Sequence, residues 1–195
     1  MKDYCETFVR SIPAGILIGI GGAVNCLCGN AYVSALLFST GLYLICLAQF
    51  NLVTGKVGHI GNGYSVVDIA LMFCGNYGGA MICAGLVRLA NPAIEDITSA
   101  IVATRMSQPF LQTLASGALC GVLVHLSVCV YQEHHTPLGI FLCIPVFILC
   151  GFEHCVADMF YFTSAGTIHP GHIAIVFLGN ALGALYTKLC LTLNS

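Results

Sequence analysis

Three ionisable side chains fall within one six-residue segment, which follows an apolar stretch in the C-terminal part of the chain. Glu153, His154 and Asp158 lie in GFEHCVADMFYF (151–162), directly after the apolar run FLCIPVFILC (141–150). An ionisable group at bilayer depth costs roughly 2.5–3.5 kcal/mol on insertion scales, so such groups are rare there without a function. Histidine, with an unperturbed pKa of about 6.5, also suits reversible protonation near neutral pH. We therefore predict that this segment is the centre of a transport pathway.

The composition places these residues in an integral membrane protein. Hydrophobic residues make up 58% of the chain and charged residues 7%, whereas a soluble domain carries about 25% charged residues. The mean hydropathy is +0.93. A span needs about 20 residues, so 195 residues leave room for about six spans. The net charge of −2 and the lack of a basic patch exclude nucleic acid as a partner.

The predicted fold class is an all-α membrane protein with six transmembrane helices in a single channel domain, residues 1–195. Repeat one covers about 8–89, a hydrophilic connector covers 90–107, and repeat two covers about 108–193. The predicted spans are 8–27, 32–48 with a polar interruption at 49–55, 66–89, 110–131, 137–162 and 171–193. Non-helical backbone at membrane depth survives only where it lines a cavity or is buried in protein. The second and fifth helices are therefore expected to be broken beside a pathway.

Two near copies of one motif relate the halves of the chain. GNYGGA and GNALGA place Asn76 and Asn180 104 positions apart, and the polar interruptions around Thr54 and His154 are 100 positions apart. Because each half has an odd number of spans, the halves must have opposite orientations. This pattern indicates an inverted repeat with its substrate site between discontinuous helices near the midplane.

The basic residues favour one orientation in the cell (inner or plasma) membrane. A cytoplasmic N-terminus puts Lys2, Arg10, Lys56 and Lys188 inside and leaves Arg88 and Arg105 outside. This distribution agrees with the positive-inside rule. Both termini are therefore predicted to be cytoplasmic, in a multi-pass protein whose surroundings are membrane lipid.

The motifs together resemble those of the formate/nitrite transporter family, pentameric channels for small monovalent anions. The resemblance rests on GFEHCVADMFYF, on NLVTG (51–55) and on the two G-N-x-x-G-A copies, and it spans nearly the whole chain. It implies an aquaporin-like protomer with its own pore, a homopentamer, and transport of an anion of the formate, nitrite or hydrosulfide type, passive or coupled to protons. It implies no cofactor and no enzymatic activity.

The resemblance also assigns roles to individual positions. It implies that His154 is the central pore histidine and Thr54 the hydroxyl that hydrogen-bonds it. It implies a cytoplasmic-side constriction of Phe38, Leu42 and Phe147 and an outer constriction of Leu52 and Val53. Asn76 and Asn180 would support the broken helices.

Several positions depart from the family pattern. Asn51 stands where the family usually has an acid, and Asp158 stands where it has Asn. Glu6 replaces a basic residue that commonly leads into the first span, while Arg105 retains the counterpart before span four. Gly121 stands where span four usually has Asn. The amide and the acid look exchanged between the two halves.

The chemistry expected of the site is protonation of a weak-acid anion. An anion loses much hydration free energy in a low-dielectric pore, whereas the neutral acid crosses an apolar ring more easily. We expect Arg105 to draw the anion in, and His154 to supply positive potential or a proton. Asp158, four residues from His154, is expected to face it and to favour the imidazolium. Glu153 is expected to satisfy backbone N–H groups freed at the break.

Other readings of the polar residues and cysteines carry less weight. The twelve cysteines are interpreted as small apolar packing residues, and no metal site is predicted at His134 and His135. His125 is interpreted as a structural histidine. Asn91-Pro92-Ala93 spells the aquaporin signature, but it occurs once and in the polar connector. A water- or glycerol-like channel is therefore the alternative, and a membrane-embedded hydrolase is less favoured because G-x-S-x-G and H-E-x-x-H are absent.

Overall fold

The computed structural model describes residues 4–193, which are organised as α-helices. In chain order the helices are α1 (Tyr4–Val9), α2 (Ile12–Leu27), α3 (Ala31–Leu47), α4 (Val53–Lys56), α5 (Val66–Ala90), α6 (Ile94–Met106), α7 (Phe110–His134), α8 (Leu138–Leu149), α9 (Cys155–Ser164) and α10 (Pro170–Thr192). A 3-10 turn, Val57–His59, follows α4 directly.

Four helical segments of the described chain are long and apolar enough to cross a membrane. They are Tyr4–Leu27, interrupted briefly between α1 and α2, and the helices α5, α7 and α10. The helices α3 and α8 are apolar but shorter, because each stops at a non-helical segment and resumes as the half-helix α4 or α9. The prediction of helices broken at 49–55 and near His154 therefore matches the observed backbone.

The connector between the two halves is helical, which the sequence analysis missed. Ile94, Thr98 and Val102 are buried and lie on one face of α6 at intervals of four residues. The first turn of α6 is acidic and its last turn is basic, which suits the helix macrodipole. This four-residue period was overlooked because the segment was interpreted from its polarity alone.

Close helix pairs at the two G-N-x-x-G-A motifs hold the bundle together. A Cβ atom added to Gly79 of α5 would lie 2.0 Å from the carbonyl oxygen of Ile12 in α2. A Cβ atom added to Gly183 of α10 would lie 2.1 Å from the carbonyl oxygen of Ala118 in α7. Small residues let helix backbones approach this closely in lipid, so the motifs fix the pairs α2–α5 and α7–α10.

The half-helix α9 lies at the centre of this framework. Nine of its ten residues are buried, including Phe160, Tyr161 and Phe162. Large apolar side chains on the outer helices are exposed, among them Leu89 and Leu111. A helix that is buried on all sides requires neighbours on all sides, and α9 packs against α5, α6, α2 and α10.

Candidate functional site

The helices α3 and α8 end in the same way. In each, the residue after the C-cap adopts positive φ, Gln49 at 56° and Gly151 at 69°. The next residue donates its N–H back across the last turn, from Phe50 to the carbonyl of Ile45 at 3.0 Å and from Phe152 to Phe147 at 3.0 Å. This is the Schellman arrangement of a helix C-terminus, and it turns the chain out of helix at the same point in each half.

One asparagine braces each break through three backbone groups. Asn76 accepts a hydrogen bond from the N–H of Val53 at 2.9 Å and donates to the carbonyls of Asn51 at 2.8 Å and Ser11 at 2.7 Å. Asn180 accepts from the N–H of Cys155 at 3.0 Å and donates to the carbonyls of Glu153 at 2.9 Å and Gly117 at 2.8 Å. Both asparagines are fully buried. These bonds satisfy backbone groups that a break would otherwise leave unpaired in an apolar environment.

The two breaks correspond at an offset of 102 positions rather than 100. Asn76 hydrogen-bonds the backbone of Asn51 and Val53 in one half. Asn180 hydrogen-bonds the backbone of Glu153 and Cys155 in the other. Leu52 and His154 are therefore equivalent, and each is the N-cap of its half-helix with extended backbone. Thr54, whose polar side chain marks the first break in the sequence, lies two positions after the backbone equivalent of His154.

His154 is held by hydrogen bonds at both ring nitrogens. Its Nε2 lies 2.8 Å from Oγ1 of Thr54 in α4, and its Nδ1 accepts from the N–H of Ala157 at 3.3 Å. Acceptance at Nδ1 requires the proton of a neutral ring to be on Nε2, so in that form His154 donates to Thr54. His154 and Thr54 are buried. The histidine thus caps its own half-helix and bridges to the other one.

His154 stands where two cavities meet. One cavity, of about 140 Å³, is lined by His154, Arg105, Asn25, Phe147 and Tyr161 among others. A space of only about 10 Å³ adjoins it, and its lining is apolar except for His154. That lining comprises Ile18, Phe38, Leu42, Leu52, Val124, Ile144, Phe147 and His154.

A larger cavity lies on the other side of this constriction. It measures about 610 Å³ and shares Leu42 and Leu52 with the constriction. Polar and basic residues, including Arg10, Asn51 and Lys56, also line it. The two cavities therefore approach each other through an apolar constriction with the histidine on its Arg105 side.

The structure brings four of the five residues predicted for the two constrictions to one apolar constriction. The rings of Phe38 and Phe147 meet edge to face with centroids 5.7 Å apart, and Phe147 belongs to the Arg105 cavity. Leu42 lines the constriction with Phe38 and Phe147, and it also lines the larger cavity with Leu52. Val53 is fully buried and is not among the residues that line the three cavities.

Arg105 lies in a buried charged cluster beside the smaller cavity. It forms an ion pair with Asp158, its Nη1 lies 3.6 Å from Oε2 of Glu153, and its guanidinium lies 5.0 Å from the centre of the Tyr161 ring. The same Glu153 oxygen lies 2.6 Å from Nε2 of His172 in α10. A distance that short requires a proton between the nitrogen and the oxygen. Two carboxylates thus share one arginine, and Glu153 also pairs with the histidine.

This cluster changes the roles expected of the two acids. Asp158 pairs with Arg105, whereas the ring nitrogens of His154 bond Thr54 and Ala157. Asp158 is therefore not the ring partner that the four-residue spacing predicted. Glu153 contacts Arg105 and His172 through its side chain. The N–H of Cys155 at the break is satisfied by Asn180 instead.

Two contributors to the site were missed from the sequence. Arg10 donates to the carbonyls of Gln49 at 3.0 Å and Ala48 at 3.5 Å, so its charge caps the C-terminus of α3. His172 completes the cluster around Glu153 from a distant helix. A histidine just inside an apolar span was a usable signal for His172. Arg10 carried no such signal, since a basic residue before a first span is common.

Asn51 donates hydrogen bonds to the segment that contains the first helix. Its side-chain nitrogen donates to the carbonyl of Thr7 at 3.2 Å, and its backbone N–H donates to the carbonyl of Arg10 at 3.1 Å. A carboxylate cannot make the first of these bonds, so an amide suits this contact with the first helix. Glu6, the other departure in this region, pairs with Arg10 at 3.4 Å.

The acids and His172 do not form a free metal site. Ligand atoms of Glu153, Asp158 and His172 lie within 4.8 Å of one another. Arg105, however, already supplies a cation to both carboxylates, and a divalent ion would have to displace it. The arrangement suits charge balance and proton binding better than metal binding.

A helical membrane protein in which two cavities meet at an apolar constriction beside a buried histidine is a channel or carrier for small solutes. The chain belongs to the formate/nitrite transporter family, whose model matches residues 2–194. The family prediction is thereby confirmed. Because this is a family of transporters, the prediction that the chain is not an enzyme is also confirmed, and the hydrolase alternative is excluded.

Individual relatives agree with this assignment. The chain is 26% identical to the nitrite transporter NirC of Escherichia coli strain K12 over 218 residues, covering 93% of this chain and 81% of that protein. It is 23% identical to the formate channel FocB of the same strain, covering 82% of this chain and 66% of FocB.

Solved structures share the fold. A pentameric formate channel with formate bound superposes with a TM-score of 0.79 at 22% identity, covering 98% of this chain and 97% of the other. The aquaglyceroporin from Plasmodium falciparum superposes with a TM-score of 0.63 at 14% identity, covering 96% and 95%. The aquaporin-like character of the fold is therefore confirmed.

Proposed function

We propose that this protein moves a small monovalent weak-acid anion of the formate, nitrite or hydrosulfide type across the membrane, passively or coupled to protons, through a pore in each protomer. The observation that carries the proposal is the position of His154, hydrogen-bonded to Thr54 between a polar cavity and an apolar constriction. Relatives that transport nitrite or conduct formate support the substrate class.

In this mechanism the anion enters the cavity that contains Arg105. The arginine provides positive potential, and the paired carboxylates Asp158 and Glu153 limit it. At the constriction the ion would lose its remaining hydration, which is costly for a charge and much cheaper for a neutral acid. His154 stabilises the anion or gives it a proton there, oriented by Thr54. The neutral acid then passes Phe38, Phe147, Leu42 and Leu52.

The proposed architecture is a single channel domain of six spans in two inverted three-helix repeats. The second span consists of α3 and α4, and the fifth consists of α8 and α9. Support comes from the matching C-terminal turns and from the equivalent asparagine braces at the two breaks. We propose that the protein lies in the plasma membrane with both termini in the cytoplasm. The test is the access of antibody to an N-terminal tag, compared between intact and permeabilised cells.

The proposed assembly is a homopentamer in lipid. Support comes from a solved relative described as a pentameric formate channel and from large exposed apolar side chains on the outer helices. Native mass spectrometry from mild detergent tests the stoichiometry, and five copies are expected.

The transport assay uses purified protein in proteoliposomes offered formate, nitrite or hydrosulfide. Wild-type vesicles are expected to take up at least one of these anions, with His154→Ala reducing the initial rate tenfold or more. His135→Ala, at an exposed histidine after α7, is the matched control and should retain the wild-type rate. Equal rates for His154→Ala and wild type would contradict the proposal.

A neutral-solute channel is the second candidate, favoured by the likeness of the fold to an aquaglyceroporin. Vesicle swelling in glycerol distinguishes it in the same preparation. Swelling without uptake of any of the three anions would support this candidate and overturn anion transport.

A further inference from the structure

A second cluster of chemically active side chains lies on the α7–α10 side of the first break, apart from the histidine already described. His59 ends the 3-10 turn after α4, and His125 and Cys129 lie one turn apart on α7. One ligand atom from each lies within 4.8 Å of the others, and Sγ of Cys129 is 3.5 Å from Nε2 of His125. The two imidazole rings have centroids 5.1 Å apart. We propose that these three residues form a binding site for Zn²⁺ or a similar borderline-soft divalent ion.

The hydrogen bonding of the two rings favours a ligand. Nε2 of His59 and Nδ1 of His125 are buried and have no hydrogen-bond partner of acceptable geometry among residues 4–193. A buried ring nitrogen without a partner is destabilising. Coordination of one nitrogen from each ring removes part of that cost. The backbone of Gly55 also approaches the His125 ring, and a backbone carbonyl is the kind of acceptor that commonly orients a metal-bound histidine.

The donor set selects the class of metal. Two imidazoles and one thiolate suit Zn²⁺, which binds three protein ligands with a water completing a tetrahedron in open sites. Hard ions such as Mg²⁺ and Ca²⁺ prefer oxygen ligands, so this set discriminates against them. Ligand atoms within 4.8 Å of one another are compatible with metal–ligand bonds of about 2.0–2.3 Å after small side-chain rotations.

Cys129 is the ligand that supplies negative charge to the proposed site. Lys56 and Lys188 place positive charge near His59, and Lys188 also acts on Cys129. These cations oppose a divalent ion, so the site needs the negative charge of the thiolate. On binding, the Cys129 thiol loses its proton to the buffer as the sulfur–metal bond forms, and both histidines bind as neutral rings.

The position of the site links it to the pathway. His59 follows α4 by three residues, and α4 carries Thr54, which hydrogen-bonds His154. Gly58 packs on the ring of His125 so closely that an added Cβ atom would lie 2.5 Å from Cε1. A bound ion would therefore fasten the α4 segment to α7. Reduced anion uptake in the presence of Zn²⁺ is the expected consequence, and this consequence rests on the proposed function.

The test is titration of purified, chelator-treated protein in detergent with Co²⁺, the spectroscopic substitute for Zn²⁺. One Co²⁺ per chain is expected, with intense tetrahedral visible bands and a sulfur-to-cobalt charge-transfer band. One proton per chain should be released, and Zn²⁺ should abolish the spectrum. Cys129→Ser should remove the charge-transfer band and weaken binding at least tenfold, and His59→Gln should weaken binding at least tenfold.

The controls use residues of the same types elsewhere in the chain. Cys143→Ser changes another half-buried cysteine, and His135→Gln changes an exposed histidine just after α7. Both should bind as the wild type does. No Co²⁺ binding, or a spectrum unchanged in Cys129→Ser, would overturn the site. This measurement of metal binding requires no transport, so its result is independent of whether the protein takes up anions. A gel-filtration profile matching that of the wild type shows that each variant is folded.

Discussion

Thr54 and His154 join the two halves of the molecule through a single buried hydrogen bond. The 2.8 Å contact links the first turn of one half-helix to the N-cap of the other. The rest of the histidine's environment includes the ring of Phe147, with centroids 6.1 Å apart. The orientation of the ring therefore depends on this hydroxyl group together with the N–H of Ala157.

Thr54→Val keeps the side-chain volume and removes this hydroxyl. A buried group left unpaired costs about 1–3 kcal/mol, so we expect the ring of His154 to lose its fixed orientation and anion uptake to fall about tenfold. Initial rates in proteoliposomes measure the effect. Thr187→Val is the control, since the Thr187 hydroxyl donates to the carbonyl of Gly183 within its own helix. Equal losses in the two variants would contradict a specific effect of Thr54.

Asp158→Asn tests the charge balance around Arg105. The buried carboxylate pairs with the guanidinium and offsets its attraction for an anion, whereas an amide can still accept a hydrogen bond. We expect the half-saturating anion concentration to fall about tenfold at constant pH, equivalent to ~1.4 kcal/mol. Uptake measured over a range of anion concentrations gives this value.

Glu95→Gln is the matched control for Asp158→Asn. It removes a carboxylate from the ion pair with Arg88, whose nitrogen–oxygen distance is 2.6 Å, and neither residue lines the smaller cavity. Its half-saturating concentration should stay at the wild-type value. If Asp158→Asn also left that value unchanged, Asp158 would not control the field of Arg105.

At the scale of the helices, each break depends on one buried asparagine. Asn76→Asp and Asn180→Asp keep an acceptor for the half-helix N–H and remove both donated bonds. Each change removes the side-chain hydrogen bonds to two backbone carbonyls, and each lost hydrogen bond costs about 0.5–1.5 kcal/mol. We expect large and similar decreases in the apparent thermal midpoint in detergent, at a fixed heating rate.

Asn25→Asp is the comparison for these variants. Asn25 is partly buried, and its side chain hydrogen-bonds the hydroxyls of Tyr161 and Ser34 and no backbone group of residues 4–193, so the midpoint of this variant should change much less. If one of the two bracing asparagines tolerated aspartate and the other did not, the two breaks would not be mechanically equivalent.

The C-terminal turns of α3 and α8 offer a reciprocal pair of substitutions. Gln49 adopts a positive φ of 56° with a side chain, whereas Gly151 occupies the equivalent position at 69°. A left-handed conformation costs a non-glycine residue roughly 1 kcal/mol. Gln49→Gly should therefore raise the apparent midpoint of unfolding, and Gly151→Ala should lower it. A Cβ atom at Gly151 would meet nothing within 4 Å, so the effect is conformational, and shifts of the same sign would contradict it.

Much of this level of structure was predictable from the sequence. The helix α5, Val66–Ala90, matches the predicted span 66–89, and the breaks fall where polar residues interrupt apolar runs. The offset between the breaks was not predictable in the same way. Polar side chains marked Thr54 and His154, but the asparagine bonds show that an apolar residue, Leu52, occupies the histidine's equivalent position. Symmetry of the backbone does not require symmetry of side chains.

At the scale of the whole molecule, the apolar constriction separates two cavities of about 140 and 610 Å³. Phe38→Ala removes one ring of the Phe38–Phe147 pair. We expect a wider constriction that admits larger weak acids, such as acetate or lactate, at rates several-fold above wild type. Uptake of these acids in proteoliposomes measures the change.

Phe73→Ala is the control for Phe38→Ala. Phe73 forms a similar edge-to-face pair with Phe177, with centroids 5.1 Å apart, and neither ring lines the three cavities. The control should lose stability without admitting larger acids. Unchanged selectivity in folded Phe38→Ala protein would show that the phenylalanine pair does not set the width of the pathway.

Contacts between distant helices were the part that the sequence did not reveal. The cluster of Arg105, Glu153, Asp158 and His172 brings together α6, the second break, α9 and α10. The four-residue spacing suggests that Asp158 and His154 are neighbours. Arg105, a cation on another helix, attracts the Asp158 carboxylate more strongly than a neutral ring does. Local spacing therefore identified the residues and not their partners.

We expect the unequal N-caps to make the proposed pathway directional. Leu52 lines the larger cavity, whereas His154 lines the smaller one, and the constriction lies between them. A proton arriving from the Arg105 side reaches the ring without crossing the apolar barrier, whereas one from the other side must cross it. Equal and opposite concentration gradients should therefore drive unequal initial rates of uptake, although the same constriction is crossed in both directions.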